Sequence, residues 1–201
     1  MFYRKVVEGA FVGMCITEAD AGSDVSAIAA TAVRDGGEYV IDGTKLFVSN
    51  GSLADHYIVF ASTDKSKGSR GISAFIVDAD LPGVSRGKRE SKLGCHAGDT
   101  CAVTFDHVRV PAGNPLGKEN EGFKLTMQTL DRGRVKVAAM AVGLAQGALD
   151  YAVSYAKERV QFGQPICRLQ GVQFMLADME AAVETARQMV YHAAALIDSG
   201  M

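Results

Sequence analysis

The sequence predicts an α+β fold: an antiparallel β-barrel or sandwich, then two long antiparallel helices of an incomplete four-helix bundle. Three observations predict it. From Phe11 to Pro111 the apolar residues mostly alternate, as strands require, and from Gly122 onward they recur every three or four residues, as a helix requires. Between these regimes lie Pro111 and Pro115, which pair poorly in a central strand and mark a connection. The boundary is therefore placed between a β domain over 1–115 and a helical domain over 116–201.

Taken in order, Phe11 to Ile16 reads as a buried strand that gives way abruptly to a polar loop. Ala27 to Val33 and Tyr39 to Ile41 flank Asp35-Gly36-Gly37, a tight hairpin signal, and Asp42-Gly43 reads as a second turn of the same kind. Tyr57 to Ala61 and Ile72 to Val77 are apolar enough for central strands, separated by the solvated loop 64–70. Arg86 to Arg89 is a basic stretch, and Cys101 to Val110 suits a strand with one break.

In the helical half, Leu125, Leu130, Val137, Met140, Leu144, Ala148, Tyr151 and Tyr155 predict a long helix to about Glu158. Gly163 and Pro165 interrupt it, and Val172, Met175, Met179, Val183, Ala186, Val190, Ala193 and Ile197 predict a second. Met127, Ala139, Ala141, Ala145 and Ala152 carry apolar character onto other faces, so further helices are expected to pack there. The sequence stops after the second helix, as a fragment would.

Composition excludes several function classes. Twenty-one Lys and Arg against 23 Asp and Glu give a formal charge of -2, which argues against a nucleic-acid binder. No apolar run approaches the roughly 18 residues of a membrane span, and the first residues lack a signal-peptide core, so the chain reads as soluble and not secreted. Cys15, Cys95, Cys101 and Cys167 are scattered and read as free thiols in a reducing compartment. Cys95, His96, Cys101 and His107 match no common zinc spacing, so no metal is expected.

The stretch with most chemical character is Met14 to Asp24, where hydroxyls and carboxylates surround Gly22 at the end of a strand. Thr17 and Ser23 offer hydroxyls to a polar cofactor or phosphate-bearing substrate, although local composition alone favours an acidic surface turn. Three further blocks follow: Asp42-Gly-Thr-Lys-Leu-Phe-Val-Ser-Asn-Gly51, Leu130-Asp-Arg-Gly-Arg134 and Arg159-Val-Gln-Phe-Gly163. On local pattern Phe47 is a strand core residue, and Asp131 with Arg134 is a surface ion pair on one helix face.

The order and separation of these four blocks resemble the acyl-CoA dehydrogenase family, flavoproteins that oxidise acyl-CoA thioesters to 2,3-enoyl-CoA. The resemblance covers nearly the whole chain and implies a middle β domain and a C-terminal bundle cut after two helices, with the family's N-terminal helical domain almost wholly absent. It implies FAD as cofactor, acyl-CoA as substrate, electron transfer flavoprotein as partner, and a homotetramer built as a dimer of dimers. A cytoplasmic location in a bacterium, or the mitochondrial matrix, follows, within fatty acid β-oxidation.

Residue by residue, the resemblance puts Met14, Cys15, Ile16 and Thr17 beside the flavin, through backbone groups and the Thr17 hydroxyl. Phe47 covers a flavin face, with Val48 beside it and Ser49 at the N5 and O4 edge, where donors meet the charge that reduction creates. Ser23 meets CoA; Asp131 and Arg134 lie by the thioester. Arg159, Gln161, Phe162 and Gln170 reach a neighbouring subunit's FAD, Arg159 at the pyrophosphate, where a guanidinium fork suits the oxygens. Ala19-Asp20 stands where the family has Pro-Gly.

The implied reaction is α,β-dehydrogenation of a short- to medium-chain acyl-CoA, closest to butyryl-type members. Its base is a glutamate, and Glu18, Glu90, Glu119, Glu121, Glu158, Glu180 and Glu184 lie in no block that makes one of them the base. A minority site just before the arginine is Gly133, so the base is expected beyond Met201 and this chain alone is expected to be inactive. A flavin-binding paralogue without dehydrogenation, and an oxidase or enoyl-CoA reductase of the same superfamily, are the alternatives.

Overall fold

The alternating half of the chain folds into one seven-stranded mixed sheet, in a computed structural model that describes residues 2–200. The chain divides into two units, 1–127 and 128–201. After a short helix α1 (Phe2–Val7), the strands are β1 (Val12–Cys15), β2 (Thr31–Asp35), β3 (Glu38–Ser49), β4 (His56–Ser62), β5 (Ile72–Asp78), β6 (Val84–Arg86) and β7 (Thr100–Pro111). Their order is β1-β4-β2-β3-β7-β6, with β5 on β4 as well.

Four pairings are antiparallel: β2–β3, joined by the hairpin expected at Asp35-Gly36-Gly37, and β3–β7, β4–β5 and β6–β7. Two pairings are parallel instead. Val12 to Cys15 run alongside His56 to Val59, and Thr31 pairs with Ser62 further along β4. One strand edge is therefore shared end to end by β1 and β2, and residues 16–30 leave the sheet between them. The strand read as Phe11 to Ile16 is shorter than expected at both ends because the chain turns out here.

Asp42-Gly43 is not a turn but the middle of β3, at a β-bulge where Asp42 faces both Asp106 and His107 of β7. Gly43 sits at φ 147°, and a Cβ there would lie 2.6 Å from the Ala30 Cβ. The same dipeptide thus suits a bulge for the reason it suits a turn: it tolerates left-handed backbone. His107, at φ 51°, is the break expected in the last strand, which nevertheless continues past this bulge and pairs with β3 as far as Pro111. A strand missed in the sequence, β6, ends where the basic stretch begins; its Arg86 donates to the Tyr57 hydroxyl at 3.1 Å and the Ala54 carbonyl at 3.1 Å.

The core of this unit is set by alternation. Tyr39, Ile41, Tyr57, Val59, Phe75, Val77, Val103, Phe105, Val108 and Val110 are all buried in one cluster. β4 and β5 are buried almost throughout, which is why they read as continuous apolar runs.

The second unit is built on α2 (Gly122–Glu158), whose first turns belong to the β unit, and α3 (Gln170–Asp198). Between them come a two-residue ladder, β8 (Val160–Gln161) with β9 (Gln164–Pro165), and one 3-10 turn. Val142, Leu149 and Val183 are buried where the helices meet, with Val153, Leu176 and Val190 against them. The stripe expected to form the core face is a different one: Val137, Met140, Leu144, Tyr151 and Tyr155 are all at least 50% exposed. An alanine-rich helix is apolar all round, so its periodicity does not select the packed face. For the same reason α2, contrary to the expectation from apolar runs, is long and apolar enough by length and composition alone to cross a membrane, although Gln146 and Asp150 interrupt its apolar residues.

Candidate functional site

The end of β1 alternates, and this decides what each residue can offer. Cys15 and Ile16 are buried, so they present only backbone; Met14 is 38% exposed and Thr17 half-buried. Gly13 lets β1 pass close to its neighbours, since a Cβ would lie 2.9 Å from the Tyr57 ring and 3.1 Å from Val48. The Cys15 thiol is pushed up in pKa by burial, against the pull of Lys45, and is no nucleophile.

The first two blocks are brought together by named bonds. The Leu46 amide donates to the Thr17 carbonyl at 2.8 Å. Lys45, fully buried, donates from Nζ to the Ile16 carbonyl at 3.1 Å and to Glu18 Oε1 at 2.7 Å. Burial lowers the Lys45 pKa, and the hydrogen bond and charge of Glu18 oppose that. Glu18 in turn accepts from the Ala29 amide at 2.7 Å and the Ala30 amide at 3.1 Å. Neither Lys45 nor Glu18 stands out in the sequence as a site residue. The available signal is a lysine at an inward position of an alternating strand, which demands a buried partner.

A second bulge lies at Leu46 and Phe47, which together face Ala102. It puts Phe47 at φ 53° and leaves its ring 63% exposed, so Phe47 is not the core residue that local pattern implies. Val48 is buried at 1% exposure and offers backbone only, while Ser49 is exposed. Ser23 is exposed on the loop after the Glu18–Ala21 bridge, just before Asp24 caps a 3-10 turn through the Ser26 amide. Among the described residues, none bonds the hydroxyls of Thr17, Ser23 or Ser49. Uncommitted hydroxyls, an exposed aromatic and a close-running backbone form a donor set that fits a flavin ring.

In the second unit, Asp131 Oδ1 accepts from Arg134 Nη1 at 2.7 Å, and both side chains are exposed. Phe162 and Gly163, at φ 51° and 76°, form the two-residue turn of the β8–β9 hairpin. Phe162 is 89% exposed; Arg159 and Gln161 are exposed beside it, and Gln170 is the exposed first residue of α3. The Ile166 amide donates to the Arg159 carbonyl at 2.8 Å, tying the hairpin's two ends.

Three of the glutamates have structural partners: Glu18 as above, Glu119 accepting from the Tyr39 hydroxyl at 2.9 Å, and Glu184 accepting from Arg187 at 3.0 Å. Among the described residues, one group of three or more His, Cys, Asp or Glu side chains has its ligand-type atoms within 4.8 Å of one another, and it is Asp42, Asp106 and His107 at the first bulge.

Two family models match the chain: "Acyl-CoA dehydrogenase, middle domain" over 13–108 and "Acyl-CoA dehydrogenase, C-terminal domain" over 120–201. The short-chain-specific acyl-CoA dehydrogenase of Megasphaera elsdenii is 50% identical over 195 residues, which is 96% of this chain and 51% of that protein. The structure of butyryl-CoA dehydrogenase from the same organism superposes with a TM-score of 0.92 at 47% identity, over 95% of this chain and 50% of that one. A chain from a structure described as electron transferring flavoprotein of Acidaminococcus fermentans gives 0.92 at 51% identity, over 95% and 50%. The chain spans about half the length of the relatives it matches. Its sheet and its long helices are those of the middle and C-terminal domains of an oxidoreductase family, and the chain belongs to the acyl-CoA dehydrogenase family.

Proposed function

We propose that this chain carries the flavin and CoA surfaces of a short-chain acyl-CoA dehydrogenase, which removes hydrogen from the α and β carbons of an acyl-CoA. The observation that carries this reading is the joining of Met14–Thr17 to Phe47–Ser49 through the Leu46–Thr17 bond and the buried Lys45. Phe47 is exposed on the one segment, and the hydroxyls of Thr17 and Ser49, one on each, are left for a ligand in this reading.

FAD, when bound, accepts the hydride leaving the β carbon. Thr17 and Ser49 supply hydroxyl donors preorganised for the charge that hydride uptake creates, and Phe47 screens one ring face from water. Ser23 meets the CoA portion, and Asp131 with Arg134 orders the thioester end. Arg159, Gln161, Phe162 and Gln170 form a second surface for a neighbouring subunit's FAD, in a dimer of dimers that passes electrons to electron transfer flavoprotein. The proton on the α carbon requires a carboxylate within hydrogen-bond reach. Of the two places where the resembled family carries this glutamate, position 133 is glycine here, and Glu18, Glu119 and Glu184 are engaged elsewhere; the family's other place, in a segment outside residues 1–201, is the one this reading assigns to the base.

Anaerobic addition of butyryl-CoA to the FAD-loaded intact gene product is expected to bleach the flavin absorption, and residues 1–201 alone are expected not to. An unbleached intact protein overturns the reaction; bleaching by residues 1–201 overturns the placement of the base.

A further inference from the structure

Lys45 is a cation with no exposed surface in a position that binding and chemistry, as described above, leave without a task. A buried ion pair is weak as a stabiliser, since the cost of removing two charges from water offsets their attraction. What such a pair does well is fix geometry. Here the geometry concerns one peptide unit: Lys45 Nζ holds the Ile16 carbonyl at 3.1 Å, toward the core. The peptide is trans, so its carbonyl and N–H point in opposite directions and the Thr17 amide faces away from the ammonium. No acceptor for that amide lies among the described residues.

The pair also spans three segments. Glu18 links the Lys45 ammonium to the amides of Ala29 and Ala30, where the chain returns to the sheet as β2. Lys45 itself precedes the bulge that exposes Phe47. One buried pair therefore sets the separation of the β1 lip, the β3 lip and the start of β2.

We propose that Lys45, held by Glu18, is a positioning residue for the flavin edge: it orients the Ile16–Thr17 peptide and fixes the distance between the Thr17 and Phe47–Ser49 lips. This rests on the reading that the lip takes FAD.

The test uses the intact gene product, stripped of flavin and titrated with FAD, comparing wild type, Lys45→Arg, Lys45→Met and the double variant Glu18→Gln/Lys45→Met. The double variant removes both charges, so it keeps the fold where Lys45→Met alone strands a buried carboxylate. The readouts are FAD affinity, the visible flavin spectrum and far-ultraviolet circular dichroism. Loss of one held peptide group is expected to weaken FAD about tenfold in the folded double variant and to shift its visible bands. Lys45→Arg, which keeps a donor, is expected to stay within about twofold of wild type. A folded double variant with wild-type FAD affinity and an unshifted spectrum overturns the positioning role alone. A folded wild-type protein that takes up no FAD overturns the functional reading and this inference with it.

Discussion

At the scale of single residues, the two β-bulges do the work that sets the site apart from the sheet, and both depend on left-handed backbone. Gly43 supplies it without cost, and Ala30 packs into the space a side chain would need. Gly43→Ala is expected to lose about 2 kcal/mol or more, from strain and overpacking together. Urea unfolding measures this; a loss below about 0.5 kcal/mol would mean that β3 moves freely at the bulge. His107 supplies the same backbone on the partner strand, and its pKa is raised, first by its hydrogen bond to Asp106, then by the charges of Asp42 and Asp106. A raised folded pKa makes the stabilisation complete below the unfolded value of 6.5, and it disappears as pH climbs through the folded value. His107→Asn keeps a residue that tolerates left-handed backbone, so it is expected to melt below wild type at about pH 5.5 and with it at alkaline pH. A difference that is constant with pH would remove the ionic contribution. Lys45 shows what sequence conceals at this scale. Its identity is visible, but a buried lysine is intelligible only with Glu18, 27 positions earlier, placed at 2.7 Å.

At the scale of elements, legibility depends on whether a pattern has one physical meaning. The ends of α2 are readable because the proline-bearing connection precedes it and Gly163 and Pro165 follow it. The hairpin of β2 and β3 is readable because Asp35-Gly36-Gly37 does admit a tight turn. Asp42-Gly43 misleads because turns and bulges ask for the same backbone, and the parallel pairings of β4 are invisible because pairing partners leave no local mark. The β8–β9 hairpin yields a prediction of the same kind. Its turn forces Phe162 to φ 51°, a conformation in which phenylalanine is strained and asparagine is at ease. Phe162→Asn is expected to stabilise the hairpin by about 1 kcal/mol, seen in thermal unfolding, while weakening FAD in the assembled protein. Weaker FAD binding together with a more stable hairpin would tie the strained, exposed ring to the cofactor. Unchanged FAD affinity would leave the strain without that explanation.

At the scale of the whole molecule, the two units bury their apolar residues very unequally. The β unit has a closed cluster that includes Tyr57, Phe75 and Phe105, all essentially without exposed surface. The helical unit buries Val142, Leu149 and Val183 at one seam, while Val137, Met140, Leu144, Tyr151 and Tyr155 form a stripe along the opposite side of α2. Amide exchange is therefore expected to be slowest in β3, β4 and β7 and much faster along α2 and α3, because local opening costs more where it uncovers more apolar surface. The exposed stripe has a further consequence. Contiguous apolar surface of this kind drives association, so residues 1–201 in dilute buffer are expected to elute as large species, to bind a hydrophobic dye and to retain little FAD. Replacing Val137, Met140 and Leu144 with glutamine changes only exposed positions, at a small cost in helix propensity. It is expected to move the protein to smaller species and reduce dye binding, with the circular dichroism of the helices retained. If the triple variant elutes with the wild type, association runs through another surface, and the exposed apolar residues of α3, including Phe174, Met175 and Tyr191, become the place to substitute next.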